Sequence, residues 1–336
     1  MKYVVILGDG MAGYPMPDRG NKTCLQLANT PFFDELAKKS TIGLAKTVPD
    51  GYAPGSDVAN LSVMGYDPKE FYTGRSPLEA ASIGIPLADD DVTYRCNLVT
   101  LSEETPYEAK RMIDYSSGEI TTREARELIG ALKQEFDKPP FTLYAGISYR
   151  HCLVARGGKT GSVLTPPHDI TDRPVAGSLP KGAMGETLLA MMKRSYEILN
   201  DHPVNRARRA AGKNPANSAW FWGEGTKPLL RPFSDLYGKR GAVISAVDLV
   251  KGIGILAGMD VLEVAGATGN WDTNFAGKAD AAADALLDGT DFVYVHMEAP
   301  DECGHHGDAD KKIYSIEQVD GVAERIARRL NAAGEA

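Results

Sequence analysis

Three separated segments carry side chains of the types that bind divalent cations and accept phosphate. Asp9 lies between two glycines, Ser56 follows a glycine, and Asp301 precedes His305 by four residues. A carboxylate and an imidazole flanked by glycines suit a divalent cation with mixed oxygen and nitrogen ligands. Such a cation lowers the pKa of a serine hydroxyl and screens the charge of an incoming phosphate. The pattern predicts metal-dependent phosphate transfer to Ser56, with Asp9, Ser56, Asp301 and His305 as metal ligands.

Each candidate also has a purely structural interpretation. Asp9 between glycines is typical of a turn, and Ser56 is placed to cap a helix. A serine at a helix N-terminus also lies where free N–H groups stabilise a phosphate, so its two interpretations are compatible. Asp301 and His305 are equally well interpreted as surface loop residues. We interpret His296 as a structural residue or one that supports the ligands.

The candidate residues are positioned by segments that the pattern predicts as β-strands. The apolar run Val4–Leu7 predicts a parallel strand buried on both faces. A second strand is predicted over Thr41–Ala45, and a further core strand over Asp291–Met297. Open parallel sheets bind ligands beyond the carboxyl ends of their strands. We therefore expect the candidates to share one edge of a sheet.

Strands and helices alternate at both ends of the chain, which indicates an α/β fold with a mainly parallel sheet flanked by helices. The middle of the chain has a different pattern. The sequence therefore predicts a metal-binding phosphotransferase domain formed by residues 1–75 and 240–336. A smaller inserted α/β domain, residues 76–239, interrupts it.

Composition and motifs exclude several other classes of protein. The 37 basic and 45 acidic residues leave a net charge of −8, which disfavours nucleic-acid binding. No apolar run is long enough for a membrane span, and the N-terminus lacks the pattern of a signal peptide. Four widely separated cysteines suit the reducing cytoplasm, where we expect the protein. Gly8–Gly13 matches the dinucleotide fingerprint, but Pro15 and Pro17 forbid the helix that this motif requires.

Four segments in order along the chain carry a family resemblance. Val4–Gly10 resembles an opening strand with its metal aspartate, and Gly55–Pro68 resembles a nucleophile segment with Ser56 as the phosphorylated serine. Gly266–Asn274 is similar to a signature stretch, and Ala299–His305 resembles a segment that supplies one metal aspartate and one metal histidine. The chain thus resembles the cofactor-independent (2,3-bisphosphoglycerate-independent) phosphoglycerate mutases of the alkaline phosphatase superfamily, in particular their archaeal-type branch.

This resemblance implies an alkaline-phosphatase-like fold and the interconversion of 2-phosphoglycerate and 3-phosphoglycerate through a phosphoserine. It implies a requirement for two divalent metal ions, for which Mn²⁺ is the first choice and Mg²⁺, Co²⁺ or Zn²⁺ are alternatives. It also implies that 2,3-bisphosphoglycerate is not needed as a cofactor. Lys251 lies where the family carries a lysine near the transferred phosphate. The resemblance also implies a further Asp-His pair and a later histidine. No histidine follows His306, so we expect the 336 residues alone to be inactive.

The inserted domain is expected to hold the phosphate and carboxylate of phosphoglycerate. Planar guanidinium groups bind both through paired hydrogen bonds. Arg95, Arg150 and His151 lie in or beside predicted strands and are the candidates for this role. The alternative is that these arginines are solvated charges at a strand edge, where they prevent aggregation through strand pairing.

Two other functions remain open at this point. One is a metal-dependent phosphatase, or another phosphotransferase, that acts on a different small phosphorylated acid, because fold and metal site would be the same. The other is an α/β binding module in which Asp9 forms a turn and Ser56 a cap. A small-molecule substrate, no nucleic acid and no membrane are expected as partners, and a homo-oligomer is compatible with the sequence.

Overall fold

The computed structural model describes residues 1–335, which form two compact units. The first unit, here the split unit, consists of Met1–Tyr72 and Leu229–Ala336, and the inserted unit consists of Thr73–Pro228. Among the described residues, no helix has both the length and the apolar composition needed to cross a membrane.

The first segment of the split unit begins with one strand and continues with short helices. Local signals set their ends: Thr23 and Gln26 form a capping box, and Pro31 takes the first turn of its helix. The elements are β1 (Tyr3–Gly8), α1 (Cys24–Leu27), α2 (Pro31–Ala37), α3 (Ser56–Val63) and α4 (Pro68–Phe71).

The inserted unit is built on a five-stranded sheet in which every strand pairing is antiparallel. All residues of its central strand, Val92–Leu101, are buried. Its elements are α5 (Ser76–Ser82), β2 (Val92–Leu101), β3 (Met112–Asp114), α6 (Thr122–Phe136), β4 (Phe141–Tyr144), β5 (Arg150–Ala155), β6 (Ser162–Val163), β7 (Lys181–Gly182), α7 (Gly185–Leu199), α8 (Pro203–Ala210) and β8 (Ser218–Thr226).

The second segment of the split unit supplies the rest of a parallel sheet. Its elements are α9 (Phe233–Tyr237), β9 (Gly241–Ile244), α10 (Asp248–Leu256), β10 (Asp260–Val261), α11 (Phe275–Leu287), β11 (Phe292–Met297), α12 (Ala299–His305) and α13 (Ala309–Ala332). The strand order is β1-β11-β9-β10, and all pairings are parallel. The predicted parallel sheet flanked by helices is thereby confirmed.

The register of β1 and β11 brings their carboxyl ends to the same level. Gly8 lies opposite Met297, and the N–H of Asp9 donates a hydrogen bond of 3.0 Å to the carbonyl oxygen of Met297. The residues that follow the two strands therefore leave the sheet side by side. This edge positions the candidate site.

In the first segment, the parallel strand over Val4–Leu7 is confirmed, but its predicted burial and the second predicted strand were wrong. β1 is an edge strand of this sheet and is half-buried, not buried on both faces. Thr41–Ala45 is not a strand, and Ile42 and Leu44 are exposed. Apolar β-branched sequence forms a strand only where a neighbour completes its hydrogen bonds, and within residues 1–335 no strand pairs with this segment.

Candidate active site

Asp301 and His305 lie on a helix, α12, and not in a loop. Residues four apart share one face of a helix, and the Nε2 atom of His305 lies 3.2 Å from Oδ2 of Asp301. Pro300 in the first turn starts this helix directly after β11. The imidazole and the carboxylate are thus held together at the sheet edge.

The loop after β1 lies directly against Asp301. Gly10 has a φ of 62°, and a Cβ atom there would lie 2.5 Å from the Cα and 2.6 Å from the Oδ1 of Asp301. Only glycine permits both the left-handed backbone and this close approach. The close packing explains why a glycine follows Asp9. It also brings the segment that carries Asp9 into contact with the segment that carries Asp301.

The electrostatics of this cluster favour a bound cation. Burial raises the pKa of Asp301, and the nearby charge of Asp9 raises it further, whereas His305 lowers it. A divalent cation bound beside Asp301 would stabilise the anionic form of this carboxylate. Asp301 and His305, and Asp9 on the adjoining loop, are of the residue types that bind such an ion through oxygen and nitrogen.

Ser56 is the first residue of α3, and Gly55, which has no side chain, is the N-cap. The capping interpretation of the Ser56 hydroxyl is therefore wrong. The carbonyl oxygen of Ser56 accepts a hydrogen bond of 2.8 Å from Asn60 Nδ2, and the Tyr294 hydroxyl donates one of 2.6 Å to Asn60 Oδ1. Burial raises the pKa of Tyr294, and the charge of Asp9 adds to this effect. Tyr294 thus connects the start of α3 to the strand beside Asp9.

Further residues lie near Asp9: His296, which the sequence analysis interpreted as a structural or supporting residue, and Glu298 and Lys278, which it did not assign to the site. His296 Nε2 lies 3.2 Å from Asp9 Oδ2 and 3.3 Å from Glu298 Oε2. Lys278 is fully buried and donates a hydrogen bond of 3.2 Å to the carbonyl oxygen of His296. Burial lowers the pKa of Lys278 to about 8, while Glu298 opposes the shift.

Both Glu298 and Lys278 had a signal in the sequence. Glu298 directly follows the strand β11, as Asp9 follows β1, so the same argument applies to it. Lys278 falls at helical spacing among apolar residues of α11, where a charge is unexpected. A lysine on the buried face of a helix indicates a partner of opposite charge.

Lys251, on α10, lies in the same unit. Its ammonium group is 2.7 Å and 2.8 Å from the two carboxylate oxygens of Glu263. Its charge contributes to lowering the pKa of Lys278. Lys251 therefore lies near this edge of the sheet but is held by an acidic partner.

In the inserted unit, Arg95 belongs to a cluster of guanidinium groups around Glu79. Arg95 Nε lies 2.7 Å from Glu79 Oε2, and Arg75 Nε lies 3.0 Å from Glu79 Oε1. Burial disfavours ionisation of Glu79, yet the charges of Arg95 and Arg75, with a smaller one from Arg150, keep its pKa below the usual range. The Arg95 guanidinium stacks 4.1 Å from the ring centroid of Trp222. Three cations around one carboxylate leave a net positive charge that suits an anion.

Arg150 and His151 begin the strand β5. Arg150 is exposed, and its guanidinium lies 5.2 Å from the Tyr149 ring centroid. His151 is buried, and its Nδ1 atom accepts a hydrogen bond of 3.0 Å from the N–H of Gly146. Burial lowers the pKa of His151 to about 3, and Arg150 adds to this shift. His151 is therefore a neutral imidazole with its proton on Nε2.

The structure thus packs the loop that carries Asp9 against Asp301, which pairs with His305, and Asn60 and Tyr294 connect the start of α3 to β11. Among the described residues, the ligand atoms that lie within 4.8 Å of one another are those of Asp9, His296 and Glu298. In the inserted unit, Arg95 and Arg150 contribute to one cationic cluster. His151 is paired across the sheet with Cys96, next to the pair Arg95 and Cys152. Arg75 and Glu79 were not predicted, although their spacing of four residues is a recognisable helical ion pair.

Comparison with known sequences identifies the family. The sequence profile described as 2,3-bisphosphoglycerate-independent phosphoglycerate mutase matches residues 37–205. A protein of Methanosarcina barkeri with that name is 54% identical over 323 residues, which are 95% of this chain and 79% of the relative.

Comparison with solved structures agrees. A Pyrococcus horikoshii protein superposes with a TM-score of 0.78 at 29% identity, over 98% of this chain and 78% of that one. The cofactor-independent phosphoglycerate mutase of Thermoplasma acidophilum superposes with a TM-score of 0.57 at 26% identity, over 96% and 82% of the two chains. Together with the identity to the Methanosarcina protein, these matches show that the chain belongs to the 2,3-bisphosphoglycerate-independent phosphoglycerate mutase family.

Proposed function

We propose that this protein interconverts 2-phosphoglycerate and 3-phosphoglycerate, with Ser56 as the transient phosphate acceptor. The observation that carries the proposal is the packing of the loop after β1, which carries Asp9, against Asp301 and its partner His305 beyond the end of β11. Tyr294 connects the start of α3 to this strand. Membership of the mutase family supplies the substrate.

Asp9, Asp301 and His305, with the hydroxyl of Ser56, would hold divalent metal ions, of which we propose two, with Mn²⁺ as the first choice. When bound, such ions lower the pKa of a hydroxyl and neutralise charge on a phosphate. The family does without 2,3-bisphosphoglycerate, so the phosphate must pass through the protein itself.

The transfer has two steps that are the reverse of each other. Ser56 Oγ loses its proton and forms a bond to phosphorus while the bond from phosphorus to the substrate oxygen breaks, and that oxygen takes up a proton to become a glycerate hydroxyl. The other hydroxyl of glycerate then takes the phosphate back and returns a proton to Ser56. A phosphate on Ser56 would lie at the N-terminus of α3, where N–H groups other than that of Val58, which donates to Asp57 Oδ1, support its stabilisation.

The anionic groups of the substrate need cationic partners throughout. We assign this role to Arg95 and Arg150, supported by Arg75 and the neutral Nε2–H donor of His151. Lys251 is proposed to leave its ion pair with Glu263 and to contact the transferred phosphate instead. Guanidinium groups suit this role because they stay charged and donate paired hydrogen bonds.

The experiment is an assay of the protein expressed from its complete reading frame, with 3-phosphoglycerate and Mn²⁺, followed by ³¹P NMR. We expect 2-phosphoglycerate to accumulate to equilibrium and a chelator to stop the reaction. Release of inorganic phosphate instead would support the phosphatase alternative. Turnover that survives exhaustive chelation would contradict the proposal.

Two serines of α3 provide a matched pair of variants. Ser56→Ala is expected to abolish turnover, whereas Ser62→Ala, on the same helix, is expected to keep it. Both remove one hydroxyl, so a general effect on helix stability would lower both activities alike. Substantial activity of Ser56→Ala would exclude Ser56 as the phosphate acceptor.

A further inference from the structure

We propose that His296 is a positioning residue that orients the carboxylate of Asp9, and that Ser245 fixes the tautomer of His296. The proposal rests on the proposed function, in which Asp9 holds a divalent cation. It assigns roles to two buried side chains that the phosphate-transfer steps do not use.

The first contact is between Ser245 and His296. His296 lies on β11 with 1% of its surface exposed, and its Nδ1 atom is 3.2 Å from Ser245 Oγ. The N–H of Val247 donates a hydrogen bond of 3.0 Å to the same Oγ. Because Oγ accepts from Val247, its own proton is available for Nδ1, which leaves the ring proton on Nε2.

The second contact is between His296 and two carboxylates. The Nε2–H group donates a hydrogen bond of 3.2 Å to Asp9 Oδ2, whereas Glu298 Oε2 lies 3.3 Å from Nε2 and does not accept a hydrogen bond from it. It therefore holds one oxygen of Asp9 and leaves Oδ1 for a cation. Partners of metal-ligating side chains orient them in this way in many metal sites.

Asp9 needs such a contact because neither adjacent residue carries a side chain that could orient its carboxylate. Glycines flank it on both sides, and Gly10 adopts the left-handed conformation. The main-chain bond to Met297 fixes the position of the residue but not the direction of its carboxylate. His296, held on a central strand, supplies that direction.

The alternative is that His296 is itself a ligand, since ligand atoms of Asp9, His296 and Glu298 all lie within 4.8 Å of one another. Lys278 argues against it. Its buried ammonium group donates to the carbonyl oxygen of His296, and its charge interacts with that of Glu298. A cation bound by these three side chains would be repelled by this ammonium.

The tautomer of His296 can be measured directly. In protein labelled with [¹⁵N]histidine, long-range ¹H–¹⁵N correlation is expected to show the Nε2–H form of His296, unchanged on addition of Zn²⁺. Ser245→Ala is expected to give a mixture of tautomers. An Nδ1–H form in the wild type, or a Zn²⁺-induced loss of the Nε2 proton, would overturn the proposal. This measurement does not depend on mutase activity, so it separates this proposal from the proposed function.

Mn²⁺ affinity, measured by titration calorimetry, tests the consequence. His296→Leu is expected to weaken binding about 10- to 100-fold, whereas His296→Gln, which keeps a donor in place of Nε2–H, is expected to bind almost as the wild type does. His202→Gln, in the inserted unit, is the matched control and leaves affinity unchanged.

Wild-type affinity in folded His296→Leu, or loss of binding in folded His296→Gln, would contradict a positioning role. If the wild type binds no Mn²⁺, the proposed function fails, and the tautomer measurement still decides the contacts of His296.

Discussion

The hydroxyl of Tyr294 donates a hydrogen bond of 2.6 Å to Asn60 Oδ1. This contact connects the central strand β11 to the helix α3, whose first residue is Ser56. Asn60 in turn donates to the carbonyl oxygen of Ser56. The position of the proposed phosphate acceptor therefore depends on a side chain far away in the sequence.

Tyr294→Phe tests this dependence. Loss of the hydroxyl removes the donor to Asn60, which we expect to cost about 1 kcal/mol of unfolding free energy. We expect kcat to fall by roughly tenfold or more, because a small misplacement of a reacting group is costly. Urea unfolding and steady-state kinetics measure the two effects.

Tyr237→Phe is the control, since its hydroxyl donates a hydrogen bond of 2.7 Å to the Gly65 carbonyl oxygen beyond the other end of α3. It is expected to lower stability slightly and to leave kcat unchanged. Equal effects of the two variants on kcat would refute a specific role of the Tyr294 contact.

Arg150→Gln tests the cationic cluster of the inserted unit. Arg150 is exposed, so the variant is expected to fold as the wild type does. Loss of a charged hydrogen-bond donor to the substrate is expected to raise KM about tenfold or more. Arg206→Gln removes another exposed guanidinium, one paired with Asp201, and is expected to leave KM unchanged. An unaltered KM in Arg150→Gln would remove Arg150 from the proposed substrate site.

The buried imidazole of His151 predicts a pH-dependent stability. Its pKa is about 3 in the folded protein and 6.5 in an unfolded chain, so the unfolded state binds one more proton between these values. The wild type should lose stability as the pH falls through this window, by up to about 1.4 kcal/mol per pH unit relative to His151→Gln. Parallel urea titrations of the two proteins measure the difference, and a pH-independent difference would mean that His151 is protonated in the fold.

Lys278 predicts a dependence at alkaline pH. Its pKa is about 8 when folded and 10.5 when unfolded, so unfolding takes up a proton within this window. The stability of the wild type should therefore rise relative to Lys278→Met as the pH increases from 8 to 10.5. If the unfolding free energy of the wild type relative to Lys278→Met falls over this pH range, the ammonium group of Lys278 is not desolvated by burial.

Features that depend on neighbouring residues in the sequence were the most predictable. The strand before Asp9, the start of α3 at Ser56 and the helix α13 all follow from local patterns. Ser56 shows the limit of this reasoning, because Gly55 and not the serine caps the helix. Asp301 and His305 were paired correctly by spacing, but only the structure places them on a helix and against Gly10.

Features that depend on distant residues were not predictable. Thr41–Ala45 has the composition of a strand, but composition does not show whether a neighbouring strand pairs with it. Glu79 and Arg95 form an ion pair because α5 packs beside β2. Nothing in the sequence of either segment indicates that the two are in contact. The positions of Glu298 and Lys278 each carry a signal in the sequence, but their partners do not. His296 meets Asp9 because β1 pairs with β11, and Lys278 reaches the carbonyl oxygen of His296 only in the folded unit.

The most direct test of the account is to trap the phosphorylated protein. The protein from the complete reading frame is mixed with ³²P-labelled 3-phosphoglycerate and Mn²⁺, quenched in acid within one turnover, and digested for mass spectrometry. The account predicts label on the peptide that contains Ser56, as phosphoserine at that residue. Label on another residue, or an unlabelled protein that still forms 2-phosphoglycerate, would contradict it.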